Sequence, residues 1–134
     1  MPWAARSLAE SHEVLRAVRP GLLVLYAESS GWGRAALAAA EATGVPSVAL
    51  QHGILYPGYF SYVHEADEGE CPRPTRTAVF GTAARDFLVA RGGYARESLV
   101  LTGSPKFDAL LAAAARWERT ALRQRLGLQA GERL

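Results

Sequence analysis

His52 is the residue whose type and position are best suited to chemistry, because it follows a short apolar run and precedes Gly53. An apolar run of this length, beginning after Pro46, is typical of a buried strand in a parallel sheet. Open α/β sheets bind their ligands at the carboxyl ends of such strands. An imidazole can take a proton from a sugar or glycerol hydroxyl near neutral pH. We therefore predict that His52 is catalytic; the alternative is that it only orders the following loop.

Other predicted strands also end in polar residues. The carboxyl ends of parallel strands lie at one edge of a sheet, so we expect these residues to line a common rim with His52. The rim is expected to contain Glu28, Gln51, Gly81 and residues 102–104. The residues of this group and its neighbourhood that are predicted to bind substrate are Glu28, Gln51, Gly53, Gly103 and Ser104. Glu28 is expected to orient His52 or to bind a hydroxyl group, and the alternative is an ordinary solvated loop residue.

Arg34 and Tyr56 are also predicted to bind substrate. Arg34 lies near the start of a predicted helix, where free backbone N–H groups attract anions, although a plain surface arginine is the alternative. Tyr56 belongs to an aromatic loop that contains Tyr56, Tyr59, Phe60 and Tyr62. Such rings suit stacking on a sugar or a base, or they only anchor the loop to the domain.

No cofactor and no metal is predicted. The stretch from Gly31 to Ala36 matches a loose dinucleotide-binding pattern, but no acidic residue ends the second strand to hold a ribose. The glycines are then expected only to shape the loop. His64, the acidic residues after it and Cys71 do not follow the spacing of metal ligands, and a charged run is usually a solvated face.

Composition narrows the class of protein. The chain has 134 residues, 49% of them hydrophobic, which is enough for one core of ordinary size. A net charge of +2 is too small to indicate a nucleic-acid partner. No apolar run approaches the roughly 18 residues of a transmembrane helix. The single cysteine, Cys71, fits a reducing compartment, so we predict a cytoplasmic protein and leave open a peripheral position at the inner membrane face.

Apolar periodicity and turn residues predict alternating helices and strands. The predicted helices cover 3–18, an Ala-rich stretch ending near 43–44, 83–91 with Thr82 as N-cap, 106–115, and a stretch ending at Gly127. The predicted strands are 22–26, 45–51, 77–80 and 98–101, and a long loop covers 52–76. This order is typical of an α/β fold with a Rossmann-like parallel sheet flanked by helices. We expect that domain in residues 1–115 and a helix with an interdomain linker in residues 116–134.

Two segments carry a family resemblance: GVPSVALQHG, which ends at Gly53, and LTGSPKFD, which ends at Asp108. With the Val79–Gly81 stretch between them, they resemble bacterial surface-carbohydrate and capsule glycosyltransferases of the GT-B fold. The sequence is also similar to the related teichoic-acid glycerophosphotransferases and UDP-N-acetylglucosamine 2-epimerases. The resemblance covers roughly residues 22 to 110, and it adds Lys106 to the residues expected to bind substrate.

The resemblance implies that the chain is part of the N-terminal domain of a two-domain enzyme, without the C-terminal domain that binds the donor. The glycerophosphotransferases have a histidine near the acceptor that corresponds to His52. The full-length protein is then expected to transfer a sugar from a nucleotide-activated donor substrate to a glycan or lipid-linked acceptor, while this chain alone is inactive. The alternative is a non-catalytic Rossmann-like module that binds a nucleotide or a partner protein.

Overall fold

The computed structural model describes residues 3–63, 71–114, 116–129 and 132. The chain divides into a first unit, Met1–Thr102, and a second unit, Gly103–Leu134. The predicted domain limits, 1–115 and 116–134, stay a prediction. The first unit contains α1 (Trp3–Val18), β1 (Leu23–Leu25), α2 (Gly31–Thr43), β2 (Ser47–Leu50), β3 (Arg76–Val79), α3 (Thr82–Arg91) and β4 (Leu99–Leu101), with 3-10 turns at Phe60–Tyr62 and Arg96–Ser98. The second contains α4 (Pro105–Ala114) and α5 (Arg119–Arg125).

The strands form a parallel sheet in the order β1-β2-β3-β4. One row of the register runs through Leu25, Ala49, Thr77 and Leu99, all of them buried. The described residues therefore confirm the predicted α/β class, with a four-stranded parallel sheet and flanking helices in a Rossmann-like arrangement. β1, β2 and β4 are shorter than the predicted strands 22–26, 45–51 and 98–101, whereas β3 has the predicted length and begins one residue earlier than predicted.

The core of the first unit lies on the face of the sheet that carries this buried row. Ala84 and Leu88 of α3 pack with Val79 and Leu99 of the sheet. On the same face, Leu15 of α1 packs with Ala39 and Ala40 of α2, and Leu23 of β1 contacts that cluster. Alanine has no side chain beyond Cβ, so the Ala-rich stretch allows α1 to approach α2 closely.

The opposite face of the sheet is largely apolar and exposed. It carries Val24 of β1, Leu50 of β2, Arg76 of β3 and Val100 of β4, each of them exposed. The strand order follows the chain order, and right-handed crossovers then place successive helices on the same face. Parallel sheets are usually covered on both faces, so the exposure of this face among the described residues of the first unit is unusual.

The predicted ends of the helices are partly confirmed. Gly44 caps α2 with φ 70°, as the sequence predicts for a helix C-terminus. The prediction that Thr82 caps α3 is wrong, because the helix begins one residue earlier and Gly81 occupies the N-cap position. The N-cap of α2 is Ser30, which sequence reasoning missed; its hydroxyl accepts a hydrogen bond from the Gly33 backbone N at 3.1 Å.

Gly33 is required by a close approach of the backbone. A Cβ atom at this position would lie 2.1 Å from the carbonyl oxygen of Ala27 and 2.9 Å from Cα of Glu28. The glycine pattern that resembles a dinucleotide fingerprint thus has a packing role in the turn between β1 and α2. Glu28 lies in this turn, just before the start of α2.

We expect Gly33→Ala to lower the free energy of unfolding by about 2 kcal/mol or more, because the backbone must shift to accept the methyl group. Gly21→Ala is the control, since a Cβ there meets no atom within 4 Å, and it should stay within about 0.5 kcal/mol of the wild type. Urea denaturation measures both. Equal stabilities of the two variants would contradict the close-approach explanation.

Candidate functional site

His52 lies two residues after the end of β2, at the carboxyl edge of the sheet, and its side chain is exposed. Its ring meets the ring of Tyr26 edge to face, with the centroids 5.7 Å apart. A cavity of about 100 Å³ opens beside it, which we call the His52 pocket. The pocket is lined by Gln51, His52, Gly53, Ile54, Leu55, Tyr59 and Tyr62. The structure therefore places the predicted catalytic residue at an accessible edge with an aromatic wall.

Gln51 holds the turn that carries His52. Its Oε1 accepts a hydrogen bond from the backbone N of Phe80 at 2.8 Å, and its Nε2 donates to the carbonyl oxygen of Gly53 at 2.7 Å. The amide thus joins the ends of β2 and β3 and also closes the turn after β2. Both ends of the side chain are engaged with backbone, so in this conformation Gln51 positions the neighbouring residues. Substrate binding by Gln51 and Gly53 stays a prediction.

Glu28 is buried, with 2% of its surface exposed, so the alternative of a solvated loop residue is wrong. Its Oε1 accepts a hydrogen bond from the hydroxyl of Tyr62 at 2.8 Å. Burial raises the pKa of the Glu28 carboxyl, while the Tyr62 hydrogen bond and the charge of His52 act in the opposite direction. The hydrogen bond of the Glu28 side chain is therefore to Tyr62, and that Glu28 orients His52 or binds a hydroxyl group stays a prediction.

The two tyrosines nearest this carboxylate keep their protons. Burial, followed by the negative charge of Glu28, raises the pKa of Tyr62 well above its ordinary value. Burial and the same carboxylate also raise the pKa of Tyr94. Tyr62 therefore acts as a hydrogen-bond donor to Glu28 throughout the neutral pH range.

Arg34 lies in the first turn of α2, where the sequence places it, and it contacts the loop after β2. Its Nη2 donates a hydrogen bond to the carbonyl oxygen of Ser61 at 2.9 Å. The alternative of a plain surface arginine does not describe this contact. Its predicted role in binding a substrate anion stays a prediction.

The aromatic loop contains a row of tyrosines that runs from the surface into the core. Tyr56 is exposed, and the ring centroids of Tyr56 and Tyr59 are 5.7 Å apart. Tyr59 and Tyr62 follow at 5.5 Å, and Tyr62 and Tyr94 at 6.3 Å. Tyr62 therefore anchors the loop to the domain, while Tyr56 remains available for stacking on a ligand.

The remaining predicted binding residues belong to the second unit. Gly103 has φ 72°, and the carbonyl oxygen of Ser104 accepts hydrogen bonds from the backbone N atoms of Phe107 and Asp108 at 2.9 and 3.0 Å. Lys106 is exposed in the first turn of α4. That Gly103, Ser104 and Lys106 share a rim with His52 stays a prediction.

The described part of the chain offers neither a metal-binding cluster nor a membrane-spanning helix. It contains no group of three or more His, Cys, Asp or Glu side chains that could hold a metal ion. It also contains no helix long and apolar enough to cross a membrane. The acidic stretch considered as a metal site falls on residues 64–70, which lie outside the described ranges.

The fold and the polar strand ends define a Rossmann-like α/β unit with a candidate site at the carboxyl edge of its sheet. No protein-family model and no curated protein sequence matches this chain. The assignment of a function therefore depends on the geometry of the edge and on the two sequence segments that carry the resemblance.

Sequence reasoning missed Tyr62 as a functional residue and treated it only as one aromatic residue of the loop. Its hydrogen bond to Glu28 joins residues 34 positions apart. An acidic residue after one strand and a tyrosine after the next are too common in loops to indicate such a pair. Only the folded arrangement identifies it.

Glu28→Gln should remove one source of pH-dependent stability. Because the folded pKa is raised, the folded protein holds this proton more tightly than the unfolded chain does. The stability contributed by protonated Glu28 is therefore fully present below its ordinary pKa of 4.5 and is lost as the pH rises through the folded value. Glutamine stays neutral and can still accept the Tyr62 hydrogen bond, so the variant should become increasingly stable relative to the wild type as the pH rises.

Urea denaturation over a series of pH values measures this difference, and Glu13→Gln on the exposed side of α1 controls for the loss of one charge. Parallel stability curves for Glu28→Gln and the wild type would show that burial of the carboxylate has no energetic effect.

Proposed function

We propose that this chain forms the acceptor-binding part of a glycosyltransferase that acts in bacterial surface-polysaccharide biosynthesis, within the N-terminal half of a GT-B fold. The observation that carries the proposal is the exposed imidazole of His52 at the end of β2, beside a pocket with an aromatic wall. Ligands of open parallel sheets bind at this edge. The QHG and TGSPKFD segments support the same assignment through their resemblance to such enzymes.

In the proposed reaction, an acceptor hydroxyl enters the His52 pocket and donates its proton to a ring nitrogen of His52. The hydroxyl oxygen forms a bond to the anomeric carbon of the donor sugar, and the bond from that carbon to the phosphate oxygen breaks. The nucleoside diphosphate leaves with the bonding electron pair. Tyr56 and Tyr59 are suited to contact the acceptor, since aromatic rings stack on the apolar faces of sugars.

The donor is a nucleotide-activated sugar, and we assign its binding to a further domain of the full-length protein. The acceptor is a glycan or a lipid-linked precursor. Such donors are used in the cytoplasm, and the free thiol of Cys71 fits that compartment. We propose a cytoplasmic location, at the inner membrane face where the acceptor is lipid-linked.

We expect His52→Ala in the full-length protein to lower turnover by about two to four orders of magnitude, because a general base contributes about that much. His12→Ala is a matched control, since His12 lies in α1, which contributes no residue to the His52 pocket. Transfer of labelled sugar from a panel of nucleotide sugars measures the rate, and circular dichroism confirms that both variants fold. Wild-type turnover in His52→Ala would remove His52 from the mechanism.

A second candidate function, a module that binds a partner protein, is favoured by the exposed apolar face of the sheet around Val24, Leu50 and Val100. Exposed apolar patches often mark interaction surfaces. The two functions differ in which substitutions matter. A transferase depends on His52 and tolerates Val24→Ser if the fold is retained, whereas a docking module depends on the sheet face and tolerates His52→Ala.

A further inference from the structure

The wall of the His52 pocket is held by two hydrogen bonds from distant parts of the chain. Tyr62 donates to Glu28 at 2.8 Å, and the neighbouring Ser61 accepts from Arg34 at 2.9 Å. Glu28 precedes α2 and Arg34 lies in its first turn, so both bonds come from the same end of one helix. Two consecutive residues of the aromatic loop are thus fixed to the start of α2.

These hydrogen bonds affect the His52 pocket because Tyr62 takes part in the bond to Glu28 and also lines the pocket. Its hydroxyl meets Glu28, while the residue itself lines the His52 pocket together with Tyr59. Tyr59 packs against Tyr62 with the ring centroids 5.5 Å apart. A displacement of Tyr62 would therefore move two rings of the wall beside His52.

The small size of the cavity around Glu28 bears on whether Glu28 and Arg34 bind substrate or position other residues. Glu28 Oε2 and Arg34 Nε have no hydrogen-bond partner among the described residues. Both residues line a cavity of about 10 Å³, together with Ser29, Ser61, Tyr62, Cys71, Pro72, Arg73 and Tyr94. This is about the volume that a single water molecule requires. A sugar ring or a phosphate does not fit there, so the buried Glu28 carboxyl and Arg34 Nε cannot meet a substrate in this cavity.

We propose that Glu28 and Arg34 are positioning residues that lock the Tyr59–Tyr62 wall of the His52 pocket, and that neither contacts the acceptor. The identity of the ligand as an acceptor hydroxyl rests on the proposed function, whereas the locking of the wall does not. A wall fixed before binding avoids the entropy loss of ordering it around the ligand.

Amide hydrogen exchange in the 134-residue chain tests, without substrate, whether Glu28 and Arg34 hold the Tyr59–Tyr62 wall in place. Several backbone amides of the aromatic loop are hydrogen-bonded within the loop, including those of Tyr59 and Val63. Tyr62→Phe removes only the hydroxyl and Arg34→Met removes the donor to Ser61, so each should speed exchange at these amides at least about tenfold, with exchange in β3 and α3 unchanged. Tyr56→Phe, in the same loop, is the matched control and should exchange like the wild type.

Conservative replacement distinguishes the role of Glu28. Glu28→Gln retains an acceptor for Tyr62 and should preserve slow exchange, whereas Glu28→Leu should match Tyr62→Phe. Should Glu28→Leu fail to fold, the Tyr62 and Arg34 variants still decide the matter. Unchanged exchange rates in both Tyr62→Phe and Arg34→Met, or rapid exchange in Glu28→Gln, would contradict the proposed positioning role.

Titration with glycerol, a small polyol probe, followed by the NMR signals of the His52 imidazole, tests the effect on the pocket. Tyr62→Phe should weaken the apparent affinity at least about threefold, and Glu28→Gln should retain it. Loss of glycerol binding in Glu28→Gln with slow exchange intact would show that Glu28 contacts the ligand, which contradicts the positioning role. Absence of any wild-type response to glycerol would count against the proposed function, while the exchange rates would still decide the lock.

Discussion

The hydrogen bond between Tyr62 and Glu28 is the interaction on which the polar edge of the sheet depends. A carboxylate buried this deeply is unfavourable unless a polar group compensates it, and the phenol supplies that group at 2.8 Å. Tyr62 is also a member of the apolar core with Val79 and Leu88. One residue therefore connects the charged group beneath the edge to the core that supports the sheet. Removal of the Tyr62 hydroxyl would leave the buried Glu28 carboxyl without this compensating donor.

Three polar residues that lie close to one another in the fold have different environments, and these environments assign their roles. Gln51 has both ends of its amide bound to backbone, and Glu28 is enclosed by protein. His52 is exposed and contacts the ring of Tyr26. The residue with an accessible side chain is thus the one suited to meet a substrate, and the other two are suited to hold its surroundings. This division explains how one imidazole can be presented at a strand end in a defined place.

The sheet imposes a second constraint. Its strand order follows the chain order, and the helices of the first unit pack on the face that carries Ala49 and Leu99. The other face presents Val24, Leu50 and Val100 to the surface. An apolar parallel sheet is most stable when both faces are covered. This open face is the reason that a protein-binding role remains a competing function beside the proposed transferase.

Local sequence signals determined the α/β class, because each of them acts over a few residues. The short apolar runs became the four strands, the alanine-rich stretch became α2, and Gly44 ended that helix in the left-handed conformation. The position of His52 at a strand end followed from the same signals. The N-cap of α3 did not, because Thr82 and Gly81 are adjacent and only the backbone decides which of them begins the helix.

Only the tertiary structure decided the environments of Glu28 and Gln51. Each depends on a partner far along the chain, 34 residues away for Glu28 and 29 for Gln51. A sequence shows that a polar residue follows a strand, but the residues that close over it come from other elements. Burial, and with it the raised pKa of Glu28, is a property of that assembly. The sequence by itself determined that Gln51 and His52 follow a buried strand, and the packing of the 59–63 segment decided that Glu28 is enclosed while His52 remains accessible.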